Sequence, residues 1–145
     1  MKGYLVDTNI PSELTRERPD VRVEAFLERA GKGSVFLSVL TIGEICKGIA
    51  NLPPSQKRTS LQDWLDHRVR FWFAGRILPV TEEIAERWGF LASDAKQRGM
   101  TLAVVDGVIA ATALHHGLTL VTRNGKDFAG LGVAIFNPWD DEIPG

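Results

Sequence analysis

Short apolar runs alternate with amphipathic stretches along most of this 145-residue chain. Residues 2–6, Lys-Gly-Tyr-Leu-Val, run into Asp7-Thr8-Asn9, residue types that make turns and open helices, which predicts a buried strand and then a helix start. Residues 20–30 follow Pro19, place Val23, Phe26, Leu27 and Ala30 at helical spacing, and stop at Gly31 and Gly33. Residues 34–37 are rich in strand formers. They lead into a helical stretch, 39–52, whose stripe is Ile42, Ile45, Cys46 and Ile49 and which Pro53-Pro54 ends. Residues 55–73 read as one more helix, with Leu61, Trp64, Leu65, Arg68 and Phe71/Trp72 along a side, and residues 76–80 as a third strand.

Thr81 fits a helix cap and Glu82 and Glu83 complement the helix dipole, while Ile84, Trp88, Leu91 and Ala95 carry the stripe to Gly99. Residues 105–116 are apolar on nearly every side, the mark of a centrally buried helix, and Gly117 ends it. Residues 118–121 and 133–136 complete the strands, with a turn and a short helical piece over 124–131 between them. Such alternation predicts an α/β fold, one domain over 1–145, with a mostly parallel sheet, helices on both faces and right-handed crossovers. In sheets of this kind ligands sit beyond the carboxyl ends of the strands, near the point where strand order reverses.

Four acids fall on that side. Asp7 follows the first strand, Glu44 lies in the helix after the second, Asp106 opens the central helix and Asp127 comes just past the fourth strand. Each has an ordinary reading when taken alone. Asp7 and Asp106 suit helix caps, Glu44 lies off the apolar stripe on a face with Thr41, Gly48 and Asn51, and Asp127 suits a turn. Together they would converge on one cleft, where two carboxylates ~4 Å apart repel by about 4 kcal/mol at an effective dielectric near 20. A cluster of that kind either takes up protons or recruits cations. All-oxygen ligation suits Mg²⁺ or Mn²⁺. His67, His115 and His116 form no zinc-spaced set with the lone Cys46. A metal-activated water acting on a phosphodiester is the chemistry this points to.

Composition narrows the setting. One cysteine excludes an internal disulfide, and the first apolar run is too short for a signal peptide or a membrane span, so a cytoplasmic location is expected. Seventeen Lys and Arg against eighteen Asp and Glu leave a net charge of -1. Nucleic acid would therefore be held by a local patch or a metal rather than by the field of the whole molecule.

Val6-Asp7-Thr8-Asn9-Ile10, Thr41-Ile42-Gly43-Glu44-Ile45, Asp106 to Ala113 and Leu120 to Phe128 occur in that order and resemble the PIN-domain motifs of bacterial VapC-type toxins. Gly75 to Pro79 and Phe136-Asn137-Pro138-Trp139 look like the FitB-like branch. The resemblance spans nearly the whole chain. It implies a three-layer α/β/α sandwich, a homodimer, and Mg²⁺-dependent endoribonuclease activity as the toxin of a type II toxin–antitoxin system, with Mn²⁺ as a second ion. It also implies inhibition by a small cognate antitoxin, through which alone operator DNA would be reached. Carried onto matching positions, Asp7 and Asp106 are direct metal ligands, and Glu44 and Asp127 are ligands or partners acting through water. Thr122 and Asn124 are the polar residues beside the metal, and Asn9 belongs to the first motif without a defined ligand role. Two positions depart from the pattern: Thr81 stands in the cap region where relatives often have an aspartate, and Val105 precedes Asp106 in place of a small residue.

Phosphate contacts would come from Lys47, Arg123 or Lys126, which otherwise read as solvated charges. Trp64, Trp72 and Trp88 sit at helical spacing that suits core or dimer packing, whereas Trp139 lies outside it. Alternatives are a DNA- or structure-specific nuclease of the same fold and a mainly non-catalytic partner of a DNA-binding antitoxin. A phosphoryl-acceptor domain fits less well: a haloacid-dehalogenase-like site wants a second aspartate where Asn9 stands, and a receiver domain wants an adjacent acid pair.

Overall fold

Five parallel strands in the order β3-β2-β1-β4-β5 form the centre of the molecule. The structure is a computed structural model and describes residues 3–141. The strands are β1 (Tyr4–Val6), β2 (Val35–Ser38), β3 (Ile77–Leu78), β4 (Thr119–Val121) and β5 (Ile135–Phe136). Leu5 lies opposite Phe36 on one side and Leu120 on the other, and Val121 opposite Phe136. The sheet is thus wholly parallel where a mostly parallel one is expected.

Strand alternation divides the core in two. Val6, Val35, Leu37, Val121 and Phe136 face one layer, made by α1 (Asn9–Glu13), α2 (Val21–Ala30), α3 (Val39–Ala50) and the run α4 (Gln56–Trp64), a π-helical turn (Leu65–Val69) and α5 (Arg70–Trp72). Leu5 and Leu120 face the other, where Ile109, Ala110 and Ala113 of α7 (Val104–His116) pack, with α6 (Glu82–Gln97) outside it. This is the three-layer sandwich. The helix expected over 55–73 is an unbroken helical run from Gln56 to Trp72, but one π turn interrupts its regular spacing, and both Leu65 and Val69 lie in the core.

Local chemistry sets the helix ends. Asp20 accepts the Arg22 N–H, Ser38 the Leu40 N–H and Thr81 the Ile84 N–H, each opening a helix. Gly117 closes α7 at φ 66°, a left-handed conformation that suits glycine. Helix α7 is buried from Gly107 to Ala113, as an all-round apolar helix requires. Gly107 permits the approach to α6, since a Cβ there would lie 2.8 Å from Trp88 Cδ1. Thr41 corrects the expected exposed face of α3: it is fully buried, and its hydroxyl has no partner among the described residues.

Candidate active site

Strand order turns at β1. The chain leaves β1 for β2 on one side and reaches β4 on the other, so the carboxyl ends of β1 and β4 form the switch point, where sheets of this kind bind ligands. Asp7 and Thr122 are the first residues past those two ends. The Asp7 N–H donates to the Val121 carbonyl at 2.9 Å, which extends the ladder one step and fixes where its carboxylate begins.

Thr122 is fully buried and its hydroxyl is the hub of the hydrogen bonds at this switch point. It donates to Asp7 Oδ2 at 2.9 Å and accepts from the Asn124 N–H at 3.0 Å and from Asn9 Nδ2 at 3.4 Å. Asp7 Oδ1 accepts the Thr8 N–H at 2.8 Å. Thr8 Oγ1 donates to Glu44 Oε1 at 2.7 Å and so ties the exposed Glu44 of α3 to the end of β1. Thr8, between Asp7 and Asn9 in the first motif, is a functional residue that spacing along the chain does not mark.

Asp106 lies half-buried in the first turn of α7. The residue that caps α7 is Ala103, which removes the helix-cap explanation for Asp106. Burial, and then the charges of Asp7, Asp127 and Glu44, push the Asp106 carboxyl above the ordinary carboxylate range. Asp127 is exposed in a 3-10 turn (Gly125–Phe128), where its N–H donates to the Asn124 carbonyl at 3.0 Å. Asp106 thus lies within electrostatic reach of the other three acids. The four do not form a closed cage: among the described residues no three His, Cys, Asp or Glu side chains stand close enough together to hold an ion. Lys47, Arg123 and Lys126 are all exposed.

A family model described as PIN domain matches residues 4–133. The chain belongs to the PIN-domain family. It is 42% identical over 137 residues to Toxin FitB of Neisseria gonorrhoeae, covering 94% of this chain and 99% of that one. It is 35% identical over 136 residues to the VapC ribonuclease Y4jK of Sinorhizobium fredii, covering 94% and 97%. A solved toxin–antitoxin complex from Klebsiella pneumoniae contains a chain that superposes with a TM-score of 0.69 at 31% identity, covering 94% of this chain and 98% of that one. The sandwich, the parallel sheet and the family expected from the motifs all hold for this PIN domain. No helix among its described residues is long and apolar enough to cross a membrane.

Proposed function

We propose that this PIN domain is an endoribonuclease that hydrolyses RNA phosphodiester bonds with a divalent metal, and that it is the toxin of a toxin–antitoxin pair. What supports the reading is the half-buried Asp106, whose carboxyl is pushed up by burial and by the charges of Asp7, Asp127 and Glu44, together with Asp7 just past β1 at the switch point of the sheet. The ribonuclease and toxin names of its relatives favour RNA over DNA as the substrate.

The donor set fits Mg²⁺ or Mn²⁺. It is all oxygen, and its carboxylates repel one another around Asp106, which a cation would relieve. An open arrangement also suits Mg²⁺, which usually takes one or two carboxylates and keeps waters and substrate phosphate for the rest. Asp7 and Asp106 would hold the ion, with Glu44 and Asp127 as further ligands or as acceptors of its waters. When bound, it supplies a water acidic enough to become a nucleophile and offsets charge on the leaving oxygen. The chain's own part is positional. Thr122 and the Thr8 N–H fix the two oxygens of Asp7, Thr8 Oγ1 holds Glu44, and Asn9 and Asn124 hold Thr122.

Two partners follow from the same reading. A groove of about 460 Å³ between α1, α2 and the α4–α5 run, lined by Ile10, Leu14, Leu27, Trp64, Trp72 and Phe73 among others, is the seat we assign to an apolar segment of a small antitoxin. Phe90 on α6 and Val104 and Val105 on α7 are exposed apolar side chains suited to a second copy of this chain. Such a toxin acts in the cytoplasm.

Incubating the purified chain with matched RNA and single-stranded DNA oligonucleotides, with Mg²⁺, Mn²⁺ or EDTA, tests the activity. RNA cut only with metal, and spared by Asp7→Ala or Asp106→Ala, is the expected result. DNA cut in preference, or RNA cut equally by the double variant, would overturn it. Growth arrest in a host that survives both substitutions would separate toxicity from hydrolysis.

A further inference from the structure

The closing Phe136-Asn137-Pro138-Trp139 segment has no part in the chemistry above, yet it is tightly built. Asn137 Oδ1 accepts the Trp139 N–H at 2.9 Å, an Asx turn, and the Asn137 carbonyl accepts the N–H groups of Asp140 at 3.1 Å and Asp141 at 2.7 Å. The Asn137 N–H donates back to Asp141 Oδ2 at 2.8 Å. This turn presses the Trp139 indole into the core, where it is 3% exposed. The guanidinium of Arg123 lies over that ring, 4.9 Å from its centroid.

Arg123 is held along its main chain as well. Its N–H donates to Asn9 Oδ1 at 3.3 Å, and its carbonyl accepts from Asn137 Nδ2 at 3.4 Å. It follows directly on Thr122, whose hydroxyl donates to Asp7. Two acids of this region are already engaged. Asp20 feels the charge of Arg123 but is paired with Arg22 through the side chain, at 2.9 Å and 3.1 Å, and through the Arg22 N–H; Asp140 Oδ2 accepts from Asn137 Nδ2 at 3.2 Å. Among the described residues Arg123 joins no ion pair.

We propose that the Asn137–Trp139 turn is a positioning device for Arg123, and that Arg123 binds an RNA backbone phosphate next to the one that is cleaved. The inference rests on the nuclease reading and goes beyond it by choosing among the basic residues and giving the closing motif a task. A guanidinium held over an aromatic ring by a cation–π contact still has N–H groups to offer a phosphate, and the contact restricts its rotamers before substrate arrives. Lys126 and Lys47 are exposed ammonium groups on flexible stems with no such support. With a net charge of -1, the protein depends on a local cation of this kind to receive a polyanion.

The test follows cleavage of a fluorogenic single-stranded RNA with Mg²⁺ over a series of salt concentrations, with KM and kcat read separately. Arg123→Ala is expected to raise KM about tenfold, leave kcat within about threefold, and flatten the log–log salt dependence by about 0.7, the share of one phosphate on a single strand. Arg123→Lys restores the salt slope and only part of KM. Trp139→Phe behaves as wild type, whereas Trp139→Leu matches Arg123→Ala and adds nothing on top of it.

Should Trp139→Leu fail to fold, Asn137→Ala replaces it in the same cycle with Arg123→Ala. Wild-type KM and slope in Arg123→Ala overturn the role of Arg123 alone. A loss from either turn variant that is equally large in the Arg123→Ala background makes the segment structural and overturns the positioning role. A wild-type chain that cuts no RNA overturns the nuclease reading and this inference with it.

Discussion

Replacing Thr122 with valine keeps the shape of a fully buried side chain and removes one hydroxyl. That hydroxyl donates to Asp7 Oδ2 at 2.9 Å, and a hydrogen bond to a charged group contributes about 1.5–3 kcal/mol. Asp7 is only half-buried, so water recovers part of this, and the lower end of the range applies. The Asn124 N–H also loses its acceptor, but Asn124 is exposed and solvent can replace it at a cost below about 1 kcal/mol. The expected loss is about 2 kcal/mol. Unfolding entropy for a chain of 145 residues is about 0.3 kcal/mol per degree, which makes this a fall of about 7 °C in Tm.

The functional consequence should exceed the structural one. Without the Thr122 hydroxyl, Asp7 Oδ2 loses its anchor and the carboxylate is held only through Oδ1 by the Thr8 N–H; loss of a group that orients a metal ligand typically costs 10–100-fold in metal affinity or activity. The assay is Mg²⁺ titration of RNA cleavage, run beside urea denaturation. Thr122→Ser serves as the control: it keeps the hydroxyl, drops one methyl worth about 0.8 kcal/mol, and should leave the Mg²⁺ midpoint within about threefold of wild type. The reasoning fails if Thr122→Val is within about 0.5 kcal/mol of wild type with an unchanged Mg²⁺ midpoint. It fails equally if Thr122→Ser shifts that midpoint as far as Thr122→Val, since packing rather than the hydroxyl would then govern the site.

Three further outcomes are expected. Burial and the charges of Asp7, Asp127 and Glu44 push the Asp106 carboxyl up, so in metal-free protein its ionised form opposes folding. That cost is fully present above the raised folded value and vanishes as pH falls through it toward the ordinary 3.8, so in EDTA Asp106→Asn should melt higher than wild type at pH 7, with the gap closing as the solution is acidified. Gly107→Ala places a Cβ 2.8 Å from Trp88 Cδ1 and 2.9 Å from its Nε1; overpacking of about 1–3 kcal/mol against a helix-propensity gain of about 1 kcal/mol predicts a net loss near 1 kcal/mol, and in a Trp88→Ala background the same change should become stabilising by urea denaturation. Glu13, 5% exposed, accepts the Asp20 N–H at 2.9 Å, so Glu13→Ala should cost about 1–3 kcal/mol and Glu13→Gln, which keeps an acceptor, clearly less on the same curves.

The parts of this molecule that sequence makes legible are those decided within a few residues. Thr81 and Gly117 mark helix ends by chemistry that acts over one turn, and the apolar face all round α7 declares its burial. Acids placed just past strands could be read as neighbours because a parallel sheet lines up its strand ends, and Asp106 does feel all three of the others. Spacing fails where the helix itself departs from 3.6 residues per turn, as at the π turn of Leu65–Val69, and at the edge of a stripe, where Thr41 passed for a surface residue. It fails more deeply for the links that orient the site. Thr8 to Glu44 spans 36 positions, and Asn9 to Arg123 spans 114. Neither partner carries any local sign of the other, because what joins them is the parallel register of β1 with β2 and with β4. Hydroxyl and amide side chains beside a motif acid therefore become informative only once strand neighbours are known. That is why the acids of this site could be proposed from spacing, while Thr8, which holds one of them, could not.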